Sequence, residues 1–321
     1  MRRDKSEFRR RTERALTRVT AGFFGSVARF LPLVVLRCLA DGVGNTICLI
    51  APSRQRIAVD NLRRVLGDRF TPRQYRALAR RVTRDLCRTL VELVKLPYLS
   101  QGRVAGLVSL EGVEHLHAAL AAGHGALLLT GHFGNWEFLG ARLAGAEGLP
   151  ITVIARDSAE SFTAHLINRS RASHGMEVLE RENLRAVLRA LQAGRIVGIL
   201  PDQHAAVGGI VVDFLGRPAA TAIGAATLAL RTGCAVVPGF IYREPDGRFR
   251  IQVSPALELR RSGDRERDVR DNTQLFNDVL GAAIREHPEQ WLWLHRRWKV
   301  DVPASRGPGT AAAAGEETHD G

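Results

Sequence analysis

Between Leu107 and Val253 the chain alternates short apolar runs with segments of helical period, and that alternation limits the folds open to it. The runs Leu107–Leu110, Ala126–Thr130, Ile151–Ala155, Glu177–Leu179 and Ile196–Leu200 are too short for buried helices and read as strands. The segments Val113–Ala121, Ala159–His174 and Asn183–Gln192, and the one after Asn135, carry helical periodicity. Strand, helix, strand in this order implies a mainly parallel mixed sheet flanked by helices, an α/β fold. Ile210–Phe214, Ala235–Ile241 and Phe249–Val253 add strands, the last two antiparallel across Pro245-Asp246-Gly247. Arg267–Glu286 and Glu289–Arg296 are expected as closing helices.

The stretch Ala126 to Gly140 concentrates the chemistry. Its apolar run ends in a turn with Gly131 and Gly134, which places His132 at the carboxyl end of a strand. Asn135 suits the N-cap of the next helix, so that Glu137 falls in the first turn, where a carboxylate is favoured by the unpaired N–H groups. From there Glu137 can reach back to the imidazole, an arrangement that suits a general base held in one tautomer. The amide of Gly134 is a candidate for facing a developing oxyanion. Taken as an isolated pair, His132 and Glu137 read better as a turn histidine and an ordinary helix-start acid, and it is the wider context that favours catalysis.

Ahead of this region lie helices. Arg2–Arg18 is rich in arginine, and Phe8, Ala15, Leu16, Val19, Phe23, Val27 and Phe30 recur near helical spacing, which predicts a basic amphipathic helix on an anionic membrane surface. The apolar region Ala28 to Ile50 is interrupted by Arg29, Arg37 and Asp41, which argues against a clean membrane-spanning helix. Arg54–Leu66 is helical, and Thr71-Pro72-Arg73-Gln74 is a capping box that starts a long helix to about Leu96. On that helix Glu92 reads as a salt-bridge partner. The expected organisation is a membrane-associating helical extension over 1–52, an α/β domain over 53–302 and a disordered tail over 303–321.

The formal charge of +13 calls for an anionic partner, and nearly all of it is arginine, since only Lys5, Lys95 and Lys299 are lysines. Source-genome composition explains that preference as well as phosphate recognition does. No nucleic-acid-binding motif accompanies the charge, and no Gly-x-Ser-x-Gly, His-Glu-x-x-His or Walker sequence is present. Cys38, Cys48, Cys87 and Cys234 are scattered among apolar residues and read as small core side chains.

Gly-His-Phe-Gly-Asn-Trp-Glu, containing His132-x4-Glu137, resembles the H-x4-D/E motif of the glycerolipid acyltransferases, in the form used by the lipid A late acyltransferases and the related mannoside acyltransferases. The blocks Asn168-Arg169-Ser170-Arg171, Leu200-Pro201-Asp202-Gln203, Val212 to Pro218 with Thr221 and Gly224, and Pro288 to Lys299 follow in the family's order, so the resemblance spans Asn61 to Lys299.

The resemblance implies transfer of a fatty acyl group from a thioester, on acyl carrier protein or coenzyme A, to a hydroxyl of a lipid A precursor. The site would lie at the cytoplasmic face of the inner membrane and need no metal or other cofactor. Mannosylated inositol lipids and lysophospholipids are the alternative acceptors, and a non-catalytic membrane-surface protein is the alternative class. His132 and Glu137 would be catalytic, with Arg156, Arg169, Asn135 and Asp202 binding substrate. Asp202 ends a strand and can orient a substrate hydroxyl, assist His132 in place of Glu137, or simply serve the turn. Arg171 reads as a solvated helix residue.

Overall fold

In the computed structural model the described residues are 27–155, 162–180 and 183–299. The expected N-terminal basic helix, Arg156, the start of the helix at Ala159 and the tail 303–321 lie outside them. Nine strands are named: β1 (Val108–Glu111), β2 (Ala126–Leu129), β3 (Ile151–Ala155), β4 (Glu177–Glu180), β5 (Ile196–Ile199), β6 (Gly209–Phe214), β7 (Arg217–Ala222), β8 (Ala235–Arg243) and β9 (Phe249–Val253).

Seven strands form one sheet in the order β1-β9-β8-β2-β5-β3-β4. Every neighbouring pair is parallel except β8 with β9, whose antiparallel register Gly239↔Val253 to Arg243↔Phe249 is the expected hairpin. The fold is therefore the mixed, mainly parallel α/β architecture that the alternation predicts. β2 lies between β8 and β5 and is buried throughout. Leu127 and Leu129 enter one hydrophobic cluster while Ala126 and Leu128 enter the other, as expected of a strand covered on both faces.

The helices that precede the sheet include α1 (Leu33–Ile50), α2 (Pro52–Leu66) and α3 (Pro72–Lys95), and a 3-10 turn at Leu96–Tyr98 and a short helix at Gln101–Leu107 lead into β1. The Thr71/Gln74 capping box opens α3, with Pro72 at the first helical position. By length and composition α1 suffices to cross a membrane. Its charged residues do not interrupt an outward apolar face, because they turn toward α3: Arg37 Nε donates to Glu92 at 2.6 Å, and Arg88 grips Asp41 through two bonds of 2.6 Å. Phe30 and, on α1, Val34, Leu39, Val43, Leu49 and Ile50 are exposed.

Two expectations are corrected. Cys38 is exposed, although Cys87 and Cys234 are buried as expected. Glu289–Arg296 is not a helix: a 3-10 turn at Pro288–Gln290 leads to Trp291, which bridges antiparallel to Phe133, and the chain then turns through Trp293 and Leu294. Burial of Trp291 and Trp293 and pairing with the His132 turn hold this segment open, since Leu292 N–H donates to His132 O at 3.2 Å. The strand β7, paired antiparallel with β6, and the helix Gly224–Thr232 have no counterpart among the expected elements.

Candidate active site

The site stands at the carboxyl edge of the sheet, where a parallel α/β sheet gathers loop residues from several strands. β2 and β5 pair in parallel with Leu129 opposite Ile199. Counting three residues onward along each strand gives His132 and Asp202. The register carries past the strands, since Thr130 N–H donates to Ile199 O at 3.0 Å.

Asp202 is buried and holds the His132 turn at two points: one oxygen lies 2.9 Å from the imidazole Nδ1, and the other accepts the His132 backbone N–H at 2.8 Å. That second oxygen also accepts the indole N–H of Trp291 at 2.8 Å. With Nδ1 directed at a carboxylate, the neutral ring keeps its proton there and leaves Nε2 as the basic nitrogen. Burial alone would lower the imidazole pKa. The Asp202 carboxylate, by charge and hydrogen bond, and the charge of Glu137 outweigh burial, and the net displacement is upward from 6.5. For Asp202 burial pushes upward, but the imidazole and its three hydrogen-bond donors bring the net displacement below the ordinary carboxylate range.

Glu137 is not the hydrogen-bond partner of the ring. Its carboxylate is clamped side-on by Arg171, with Nε to one oxygen at 3.0 Å and Nη2 to the other at 2.7 Å, and it accepts the Trp136 indole N–H at 3.1 Å. The Trp136 ring packs edgewise on the imidazole with centroids 5.0 Å apart. The charge of Glu137 raises the imidazole pKa, and that of Arg171 beside it lowers it. Arg171, which sequence pattern assigns to solvent, has a side chain only 14% exposed and belongs to the site.

The other expected residues are distributed differently. Asn135 is buried and caps the helix that begins at Trp136: its Oδ1 accepts Phe138 N–H at 3.3 Å, while its Nδ2 donates to Glu92 at 2.7 Å. Both ends of the amide are occupied by protein, so substrate binding is replaced by a positioning role. Glu92 is itself fully buried and gripped by Arg243 and Arg37, which hold its carboxylate below the ordinary range against the upward push of burial. The Gly134 N–H donates to Gln290 O at 2.9 Å, so it is engaged rather than aimed at an oxyanion. Glycine is required there for another reason. Its φ is +55°, and a Cβ would lie 2.1 Å from Ile241 O. Arg169 is exposed with its guanidinium 5.7 Å from the Tyr98 ring centroid. Arg156 follows β3, whose carboxyl end lies at this sheet edge, but the residue itself is outside the described set.

The cavity beside His132 holds about 20 Å³, close to one water, and its wall is mixed: Val82, Leu86, Trp136, Trp291 and Leu292 share it with Asp85, Thr89, Arg243, Glu289 and Gln290. A base whose Nε2 is left basic by an orienting buried carboxylate can take a proton from a hydroxyl and return it to a leaving group.

A family model described as bacterial lipid A biosynthesis acyltransferase matches residues 4–300. The chain belongs to this family. Among similar proteins, a phosphatidylinositol mannoside acyltransferase of Mycobacterium tuberculosis H37Rv is 35% identical over 67% of this chain and 68% of its own length. The corresponding protein of Mycolicibacterium smegmatis is 32% identical over 67% and 70% of the two chains. A lipid A biosynthesis lauroyltransferase of Escherichia coli K12 is 27% identical over 84% and 87%. The protein is thus an acyltransferase.

Proposed function

We propose that this acyltransferase moves a fatty acyl group from a thioester to a sugar hydroxyl of an anionic membrane glycolipid, with His132 as general base. The observation that carries the reading is the Asp202–His132 pair, which leaves Nε2 basic on a residue that lines a small cleft of mixed polarity. Nε2 removes the hydroxyl proton, the oxygen attacks the thioester carbonyl, and the tetrahedral intermediate expels the thiolate, which takes the proton from the imidazolium. An acyl–oxygen bond replaces an acyl–sulfur bond, and no acyl-enzyme forms. Asp202 orients the ring, and Glu137, anchored by Arg171, favours the imidazolium electrostatically.

The acceptor placed first is a mannosylated inositol phospholipid, because the relatives at 32% and 35% identity act on phosphatidylinositol mannosides by name. A lipid A precursor is the second reading, supported by the Trp291-to-Arg297 ending and by the E. coli relative's name. Arg156 and Arg169 are assigned to the acceptor's anionic groups, and the donor is an acidic acyl carrier protein or coenzyme A, drawn by the basic surface.

The enzyme works at the cytoplasmic face of the inner membrane, where such thioesters are present. The exposed apolar face of α1, with its charges neutralised on the opposite side by Glu92 and Arg88, supports peripheral attachment.

The test is acyl transfer by detergent-solubilised wild type and His132→Ala, with labelled acyl-carrier protein or acyl-coenzyme A offered to a phosphatidylinositol mannoside and to a lipid A precursor. Transfer to the mannoside, lost in the variant, is expected. Transfer to the lipid A precursor alone would select the second reading. Equal, low rates in both proteins with every pair would end the general-base assignment.

A further inference from the structure

We propose that a cavity between α1, α2 and α3 is a binding site for the phosphate of a membrane phospholipid, separate from the active site. This rests on the peripheral-attachment reading above. The cavity holds about 410 Å³ and is lined by Cys48 at the end of α1, by Arg56, Asp60 and Arg63 on α2, and by Arg76 and Arg80 on α3. Four exposed arginines and a single carboxylate line this open groove, the Arg63 guanidinium lying 5.8 Å from the Tyr75 ring centroid. Among the described residues the ion pairs of these three helices are those of Arg37, Arg88 and Arg243 with Glu92, Asp41 and Asp85, and none involves the four arginines. Guanidinium groups present paired N–H donors that match phosphate oxygens, so a cluster with one counter-charge is suited to an anionic ester.

The position selects the source of the phosphate. Pro52 lines the cavity, and only Ala51 separates it from Leu49 and Ile50, which are 77% and 74% exposed. These two end the outward apolar face of α1, so a helix lying in the lipid interface brings the arginines to headgroup depth. The cavity shares no lining residue with the cleft beside His132, which argues against the phosphates of the acyl donor. The site therefore holds a lipid that is not consumed and fixes the orientation of the enzyme on the bilayer.

The full chain is titrated with vesicles of phosphatidylcholine alone, phosphatidylcholine with phosphatidic acid, and phosphatidylcholine with oleate at matched surface charge. Arg76→Ser/Arg80→Ser is compared with a control of equal charge change, Arg260→Ser/Arg261→Ser. Wild type should prefer the phosphatidic acid vesicles over the oleate vesicles. The cavity pair should lose that preference, with affinity falling about thirtyfold as two headgroup contacts disappear, while the control retains it. Asp60→Asn should strengthen binding several-fold, a gain that misfolding cannot produce. If both arginine pairs behave alike while wild type still binds vesicles, the cavity assignment is wrong and peripheral attachment survives. If wild type binds no vesicle, both fail. Coenzyme A binding that wild type shows and the cavity pair lacks would give the site to the donor and overturn the lipid assignment.

Discussion

His132 stands between two carboxylates that the fold supplies by different routes. Asp202 arrives from the end of β5, touches the ring and the backbone of its turn, and is held by Trp291 from the far end of the sequence. Glu137 arrives from the helix five residues downstream in the same motif, and its oxygens are taken up by Arg171 and Trp136. The nearer residue in sequence is the more distant partner in chemistry. A contact carboxylate fixes tautomer, direction and pKa together, whereas a neighbouring charge contributes to pKa alone.

The largest effect that would test this ranking is loss of the base itself. His132→Ala is expected to lower kcat by roughly two to four orders of magnitude, with the thermal midpoint little changed, in a steady-state assay paired with a melt. Asp202→Asn comes next, at about a thousandfold in kcat, because the amide permits the wrong tautomer. Its pH profile carries the sign. The working base is neutral imidazole, so wild-type kcat/KM rises with pH through a pKa above 6.5. Removing the carboxylate lowers that pKa, so the rising limb should move to lower pH even as the plateau drops.

Glu137→Gln should cost less, roughly ten- to a hundredfold, and should also shift the limb to lower pH. A double variant with Arg171→Gln should be no worse than the single, because the two side chains act as one unit. A fall in Glu137→Gln equal to that in Asp202→Asn would erase the distinction between contact and neighbouring charge. The smallest effect is expected from Trp291→Phe, which keeps the ring packing and removes one hydrogen bond to Asp202. About three- to tenfold in kcat would match the loss of one hydrogen bond of about 1 kcal/mol net, and no change would show that Trp291 only packs.

Much of this arrangement was legible in the sequence, because it is locally determined. Ala126 to Leu129 is apolar at every position, and β2 is buried at every position. Asn135 precedes a helix and caps it. The Asp202 contact depends instead on which strand lies beside β2 and in what register, and neither periodicity nor spacing states that β5 is the neighbour. Arg171 shows why a helical arginine cannot be assigned from pattern alone: what distinguishes it from Arg169, two residues earlier and exposed, is the carboxylate of a different element. The segment after Glu289 is not a helix because Trp-Leu-Trp-Leu is apolar at every position and so carries no period, and burial of Trp291 and Trp293 against distant elements sets a bridge and a turn instead.

The strap that begins at Pro288 has a consequence for the timing of biosynthesis. The side chain of Gln290 exchanges hydrogen bonds with the backbone N–H and C=O of Arg243, and its own carbonyl closes on Gly134. The ribosome therefore emits the base, its motif and the whole sheet well before the residues that lock the turn in place. A nascent chain can complete its sheet before Gln290 and Trp291, the residues that pin the His132 turn, have emerged.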